Sequence, residues 1–156
     1  MTPFSYLLRV RYGECDAQKI VFNARYGDYL DIATIEYLRV VWGDAVFGGG
    51  YDYRLVKQTI EWQSPARYDD ILQVAVSTTR VGNTSFVLAM ELRVLGAERT
   101  TATAETTYVL VRELEQTKCA VPDDLRRLLE AGAPGVVVDH AGAHAAAARA
   151  GTAAPG

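Results

Sequence analysis

The sequence predicts an α+β domain in which one long central helix is wrapped by a curved antiparallel sheet of about five strands. Three observations carry this prediction. Tyrosines and aliphatic residues between Tyr26 and Val41 recur at helical spacing. An alternating run precedes that stretch, and further extended runs follow it from Arg54 to Arg112. The later runs are separated by links of hairpin length, so neighbouring strands must run antiparallel. A single apolar helix cannot bury itself and needs a sheet to wrap it.

Tyr6, Leu8, Val10 and Tyr12 share one side of the run from Ser5 to Tyr12, while Ser5, Leu7, Arg9 and Arg11 share the other. That alternation predicts a first strand with one buried face, ended by Gly13. Tyr26, Tyr29, Leu30, Ala33, Tyr37, Val40 and Val41 then mark one helix face. Asn23 stands just before them as a candidate N-cap, and Trp42-Gly43 supplies the stop. Gly48-Gly49-Gly50 reads as a connector, since no lysine and helix follow that would make it a phosphate cradle. Val56, Gln58, Ile60 and Trp62 alternate with their neighbours until Ser64-Pro65 breaks the strand. Tyr68-Asp69-Asp70 reads as a turn into the strand from Ile71 to Val81, and Gly82-Asn83 suits a tight hairpin. Phe86, Leu88, Met90, Leu92 and Val94 line the next strand, and Gly96-Ala97-Glu98 turns the chain into Arg99 to Arg112. Pro122 opens a short helix over residues 123–130, with acids first and arginines later, as a helix dipole favours. These elements predict one domain over residues 1–131. Residues 132–156 form an Ala/Gly-rich C-terminal tail, expected to be disordered.

Composition narrows the function. Hydrophobic residues make up 49% of the 156, enough for a real core. A net charge of −3 with a pI near 5.4 argues against a nucleic-acid surface. No apolar run is long enough for a membrane span, and MTPFSYLLRV lacks the parts of a signal peptide, so a cytoplasmic protein is expected. Cys15 and Cys119 are too few for a disulfide framework or a cysteine zinc site. Both histidines, His140 and His144, fall in the C-terminal tail. That leaves no residue to complete a serine triad, a histidine metal site or a histidine-activated thiol, and no metal or cofactor is implied.

Between the first strand and the long helix one acid, Asp16, stands in an apolar-looking loop. By itself it reads as a turn or capping aspartate. The run Tyr12-Gly13-Glu14-Cys15-Asp16-Ala17-Gln18-Lys19-Ile20-Val21-Phe22 resembles the signature of the 4-hydroxybenzoyl-CoA thioesterase family of the hotdog superfamily. In that family an aromatic-Gly-acid-x-Asp run leads through an Ile/Val-Val-aromatic step into the central helix. Tyr26 and Tyr29-Leu30-Asp31 continue the likeness, as does Pro65-Ala66-Arg67-Tyr68-Asp69-Asp70-Ile71-Leu72. The resemblance spans roughly residues 5–130. It implies a hotdog fold, an acyl-CoA thioesterase, a homodimer or homotetramer, and sites at the subunit interface.

The resemblance gives Asp16 the catalytic role, as nucleophile or as base for water. Thioester hydrolysis needs one or the other, with donors for the oxyanion. The same motif makes the Asn23 amide the group that polarises the carbonyl and places Asp31 in the acyl pocket. Tyr26 is a substrate contact or part of the core. Glu36 reads as a surface charge and Cys15 as a small buried hydrophobe. Two departures stand out. Gln18-Lys19 replaces the Ala-Gly or Gly-Gly that follows the catalytic aspartate in well-known members, and Lys19 becomes a candidate phosphate contact. Gly82-Asn83-Thr84 replaces the basic cluster that grips the nucleotide in the 4-hydroxybenzoyl enzyme; Arg67, Arg80 and Lys118 are the candidate substitutes. Two other readings stay open: release of an acyl or polyketide chain from acyl carrier protein, and a non-catalytic acyl-binding module.

Overall fold

The computed structural model describes residues 2–143, so the tail residues 144–156, with His144, lie outside it. In chain order it contains β1 (Phe4–Arg9), a 3-10 turn (Tyr12–Glu14), α1 (Arg25–Trp42) and a second 3-10 turn (Gly43–Val46). There follow β2 (Tyr51–Trp62), β3 (Ile71–Val81), β4 (Ser85–Val94), β5 (Thr100–Arg112), α2 (Asp123–Ala131) and β6 (Val137–Asp139). All six strands belong to one sheet in the order β2-β5-β4-β3-β1-β6. Every neighbouring pair is antiparallel except β1 with β6. The register shifts within the β2–β5, β3–β4 and β4–β5 pairs are bulges of the kind that bend and twist a sheet.

α1 buries Tyr26, Tyr29, Leu30, Ala33, Thr34, Tyr37, Leu38 and Val41. Its partners in the core include Phe4 and Leu8 of β1, Leu72 and Val74 of β3, Phe86 and Leu88 of β4, and Tyr108 and Leu110 of β5. Two hydroxyl pairs are matched within this core. Tyr108 Oη donates to Thr34 Oγ1 at 3.1 Å, and the Tyr37 and Thr78 hydroxyls bond at 2.8 Å. α2 buries Leu125 and Leu129, and Arg126 fastens it to the β3–β4 hairpin by donating to the Val81 and Gly82 carbonyls.

Four expectations are corrected. Tyr12 does not continue β1: its side chain is 82% exposed, because the chain leaves the strand at Val10 and Arg11 opens a turn closed on Glu14. β1 buries both faces, Ser5 and Leu7 included, and on the second face Gln73 Nε2 of β3 donates to Ser5 Oγ. Val40 is exposed, and the buried stripe runs instead through Thr34 and Leu38. The fourth concerns the predicted tail, whose first residues fold. Gly132 ends α2 at φ 64°, Val137–Asp139 adds a parallel strand to β1, and Tyr6 Oη bonds His140 Nδ1 at 3.1 Å. The sheet therefore has six strands rather than about five. Residues 132–143 satisfy backbone groups along the β1 edge, through Ser5 N–H to Val136 O and His140 N–H to Leu7 O.

Candidate active site

The loop from Tyr12 to Phe22 is held mainly by its own backbone. Cys15 and Val21 pair across it, Asp16 N–H donates to Ile20 O at 2.9 Å, and Lys19 N–H returns to Asp16 O at 2.9 Å. Closing so tight a turn puts Lys19 at φ 64°, a left-handed conformation natural to glycine. Ile20 pairs with Arg67, and Val21 N–H donates to Ala66 O, which seats the loop against the segment that leaves β2.

Asp16 is half-buried. Its Oδ1 accepts the Gln18 N–H at 2.8 Å, while Oδ2 makes no hydrogen bond with the described residues. Asp16 opens onto a cleft of about 540 Å³. Gln18, Ile20 to Asn23 and Tyr26 form one wall of the cleft, and Trp62 to Pro65 form the other. Tyr26 and Trp62 meet edge to face across it, with ring centroids 6.2 Å apart. Tyr26 itself is 2% exposed, so it belongs to the core and to the cleft floor together. Burial pushes its phenol up, against the pull of the Ala66 backbone.

Asn23 does not cap the helix through its side chain. The N-cap position is Ala24, and no side chain caps it. Arg25 N–H bonds Phe22 O and Tyr26 N–H bonds Asn23 O, while the amides of Asn23 and Ala24 donate to no backbone carbonyl of the described residues. The positive end of an 18-residue helix thus stands beside Asn23, which lines the cleft together with Asp16.

The other candidates separate. Lys19 and Arg67 are exposed beside this cleft, linked through the Ile20–Arg67 pair. Arg80 lies opposite Val87 on β3, and Lys118 lies opposite Val111 of β5. Trp62 at the cleft lies opposite Ala102 on that same strand, so Lys118 stands roughly 30 Å away at 3.3 Å per residue. Within one chain neither Arg80 nor Lys118 joins the cleft. Asp31 is exposed on α1 towards Tyr53 and Tyr108, away from the cleft lining. Glu36 pairs with Arg39 at 3.4 Å. Cys15 is half-buried; burial and then the charges of Asp16, Glu14 and Asp70 push its thiol up, which disfavours a thiolate. His140 lines a different cleft, with Tyr6, Arg9 and Tyr29. Among the described residues no group of histidine, cysteine and carboxylate side chains is arranged to hold a metal, and no helix is long and apolar enough to cross a membrane.

Sequence reasoning missed the Trp62-Gln63-Ser64-Pro65 wall as a unit, though the Ser64-Pro65 strand break marked its place. It also gave no role to Glu14, whose buried carboxylate binds Arg11 and Tyr29.

The model of the thioesterase-like superfamily matches residues 10–129. The chain belongs to that family. The acyl-CoA thioester hydrolase YbgC of Escherichia coli is 31% identical over 127 residues, covering 80% of this chain and 93% of its own. Solved structures share the hotdog fold. A thioesterase-superfamily protein from Jannaschia superposes with a TM-score of 0.77 at 22% identity, over 85% of this chain and 94% of its own. The 1,4-dihydroxy-2-naphthoyl-CoA thioesterase of Synechocystis gives 0.71 at 20% identity, over 81% and 94%. The one long helix on a curved, mostly antiparallel sheet is therefore the hotdog fold that the sequence predicts. The family match ends inside α2, so β6 lies outside it.

Proposed function

We propose that this protein hydrolyses acyl-CoA thioesters, with Asp16 as the reacting carboxylate. One observation carries the reading: Asp16, with its free Oδ2, and Asn23, whose amide donates to no backbone carbonyl of the described residues, line one cleft. In the general-base form Asp16 takes a proton from water, and the hydroxide attacks the thioester carbon. The developing oxyanion meets the Asn23 amide at the positive end of α1, where donors are held before the reaction begins. Collapse expels the CoA thiolate, which recovers the proton from Asp16 and leaves the free acid. In the nucleophilic form Oδ2 attacks directly, and water then cleaves the mixed anhydride.

Phe22 and Trp62, on the two walls of the cleft, are each about half exposed, and Leu55 and Val56 of the edge strand β2 are exposed as well. The reading includes a homodimer or homotetramer, in which a second copy covers this apolar edge and brings its own Arg80 and Lys118 within reach of a nucleotide. A screen of short-chain, long-chain and aromatic CoA thioesters tests the activity by thiol release; no release from any class contradicts the proposal. Label in the Asp16 carboxylate after a single turnover in isotopically labelled water marks the anhydride route with water attacking the aspartyl carbon, whereas the general-base route puts all the label in the product acid.

A further inference from the structure

We infer that Glu14 is a positioning residue that fixes Asp16 against α1, with Tyr29 as the contact on the helix. The inference rests on the assignment of Asp16 to the reaction. Asp16 has no side-chain bond to the helix it must work beside; its one such bond, to Gln18 N–H, stays within its own turn. Glu14, two residues earlier, supplies the missing connections. Its Oε1 accepts the Arg11 N–H at 2.7 Å and the Tyr29 O–H at 3.1 Å. Its Oε2 accepts the Arg11 guanidinium at 3.1 and 3.3 Å, and its backbone carbonyl accepts the Phe22 N–H at 2.9 Å. One residue thus joins the end of β1, the loop that carries Asp16, the step into α1 and the second turn of that helix.

The geometry explains why a carboxylate stands there. Glu14 is 9% exposed, and a buried charge persists only where a cation and donors compensate it. Tyr29 is 1% exposed and packed in the core, so it is a fixed anchor rather than a mobile surface group. Its phenol is raised strongly by burial and then by the Glu14 charge, so it remains a donor at every working pH. Small displacements of a reacting group are costly, about 100-fold for 1 Å. Loss of the Tyr29–Glu14 bond should therefore be read in turnover before it is read in binding.

The test compares Tyr29→Phe, which removes only the hydroxyl, and Glu14→Gln, which keeps size but removes the charge. Each is made in the parent and in the Asp16→Asn background, with folding checked by circular dichroism. In the parent background kcat is expected to fall about 10- to 100-fold with KM within about twofold. In the Asp16→Asn background no further fall is expected, because the tether acts through Asp16. Unchanged kcat in both folded variants overturns the inference, as does an equal further loss in the Asp16→Asn background. Should one variant fail to fold, the other decides. Parent-like turnover in Asp16→Asn alone would instead contradict the assignment of Asp16 itself.

Discussion

Lys19 holds a left-handed backbone conformation, φ 64°, inside the turn that presents Asp16. A lysine there costs on the order of 1–2 kcal/mol against glycine's freedom, while asparagine tolerates the region better than most residues. Lys19→Asn should leave Tm unchanged or raise it slightly in a thermal melt. If the ammonium meets a CoA phosphate, KM should rise about two- to fivefold at low salt with kcat unchanged, the size of an exposed ion pair. An equal KM at low and high salt would remove Lys19 from the binding site. This residue also shows what was legible at its scale. The Gln18-Lys19 departure was visible in the sequence, but its backbone conformation was not, because nothing local forces φ positive until the turn closes on Ile20. Glu14 was hidden for a related reason. An acid in a loop reads as solvated unless the burial supplied by Tyr29, fifteen residues on, is known. Asn23 had the right residue type for a cap, yet the helix starts after it and uses its backbone instead.

Among the elements, α1 was the most legible, because a 3.6-residue stripe of tyrosine and aliphatic residues has few other interpretations. Its deviation at Val40 is the drift of a helix face over several turns. Strands β2 to β5 were legible from their turns, which punctuate alternating runs. β6 was not, since Val137–Asp139 is a three-residue strand in an Ala/Gly-rich context and forms only where the β1 edge is ready to pair. β5 carries one misfit that no pattern reveals. Thr101 is 1% exposed, and its hydroxyl has no hydrogen-bond partner among the described residues. An unpaired buried hydroxyl costs about 1–3 kcal/mol. Thr101→Val, which replaces that hydroxyl with a methyl group of similar size, should therefore raise stability by about 1 kcal/mol in chemical denaturation without changing the slope. A loss of stability would show that the hydroxyl is satisfied.

For the molecule as a whole, the core is rich in tyrosine, and this sets its alkaline limit. Burial holds the Tyr53 phenol up to about 12 and pushes those of Tyr26, Tyr37 and Tyr108 above their usual range. Folded-state values above the unfolded ones mean stability that is fully present below about pH 10 and lost as pH rises through 10 towards 12. Melts across that window should show Tm falling steeply, with tyrosinate absorbance appearing together with unfolding. Ionisation of the full set of nine tyrosines while the protein is still folded would contradict the burial. On the acid side Glu91, lowered by its hydrogen bond to Arg93, contributes stability that is lost as pH falls below the ordinary carboxylate range.

The proposed function rests on a carboxylate and a helix terminus lining one cleft, and turnover by Asp16→Asn tests that most directly. With a good acyl-CoA substrate at saturation, kcat should fall at least about 100-fold, comparable to the loss of a major catalytic group, while light scattering gives the parent's oligomeric mass. Turnover within about tenfold of the parent, from a variant of unchanged assembly, would contradict the account.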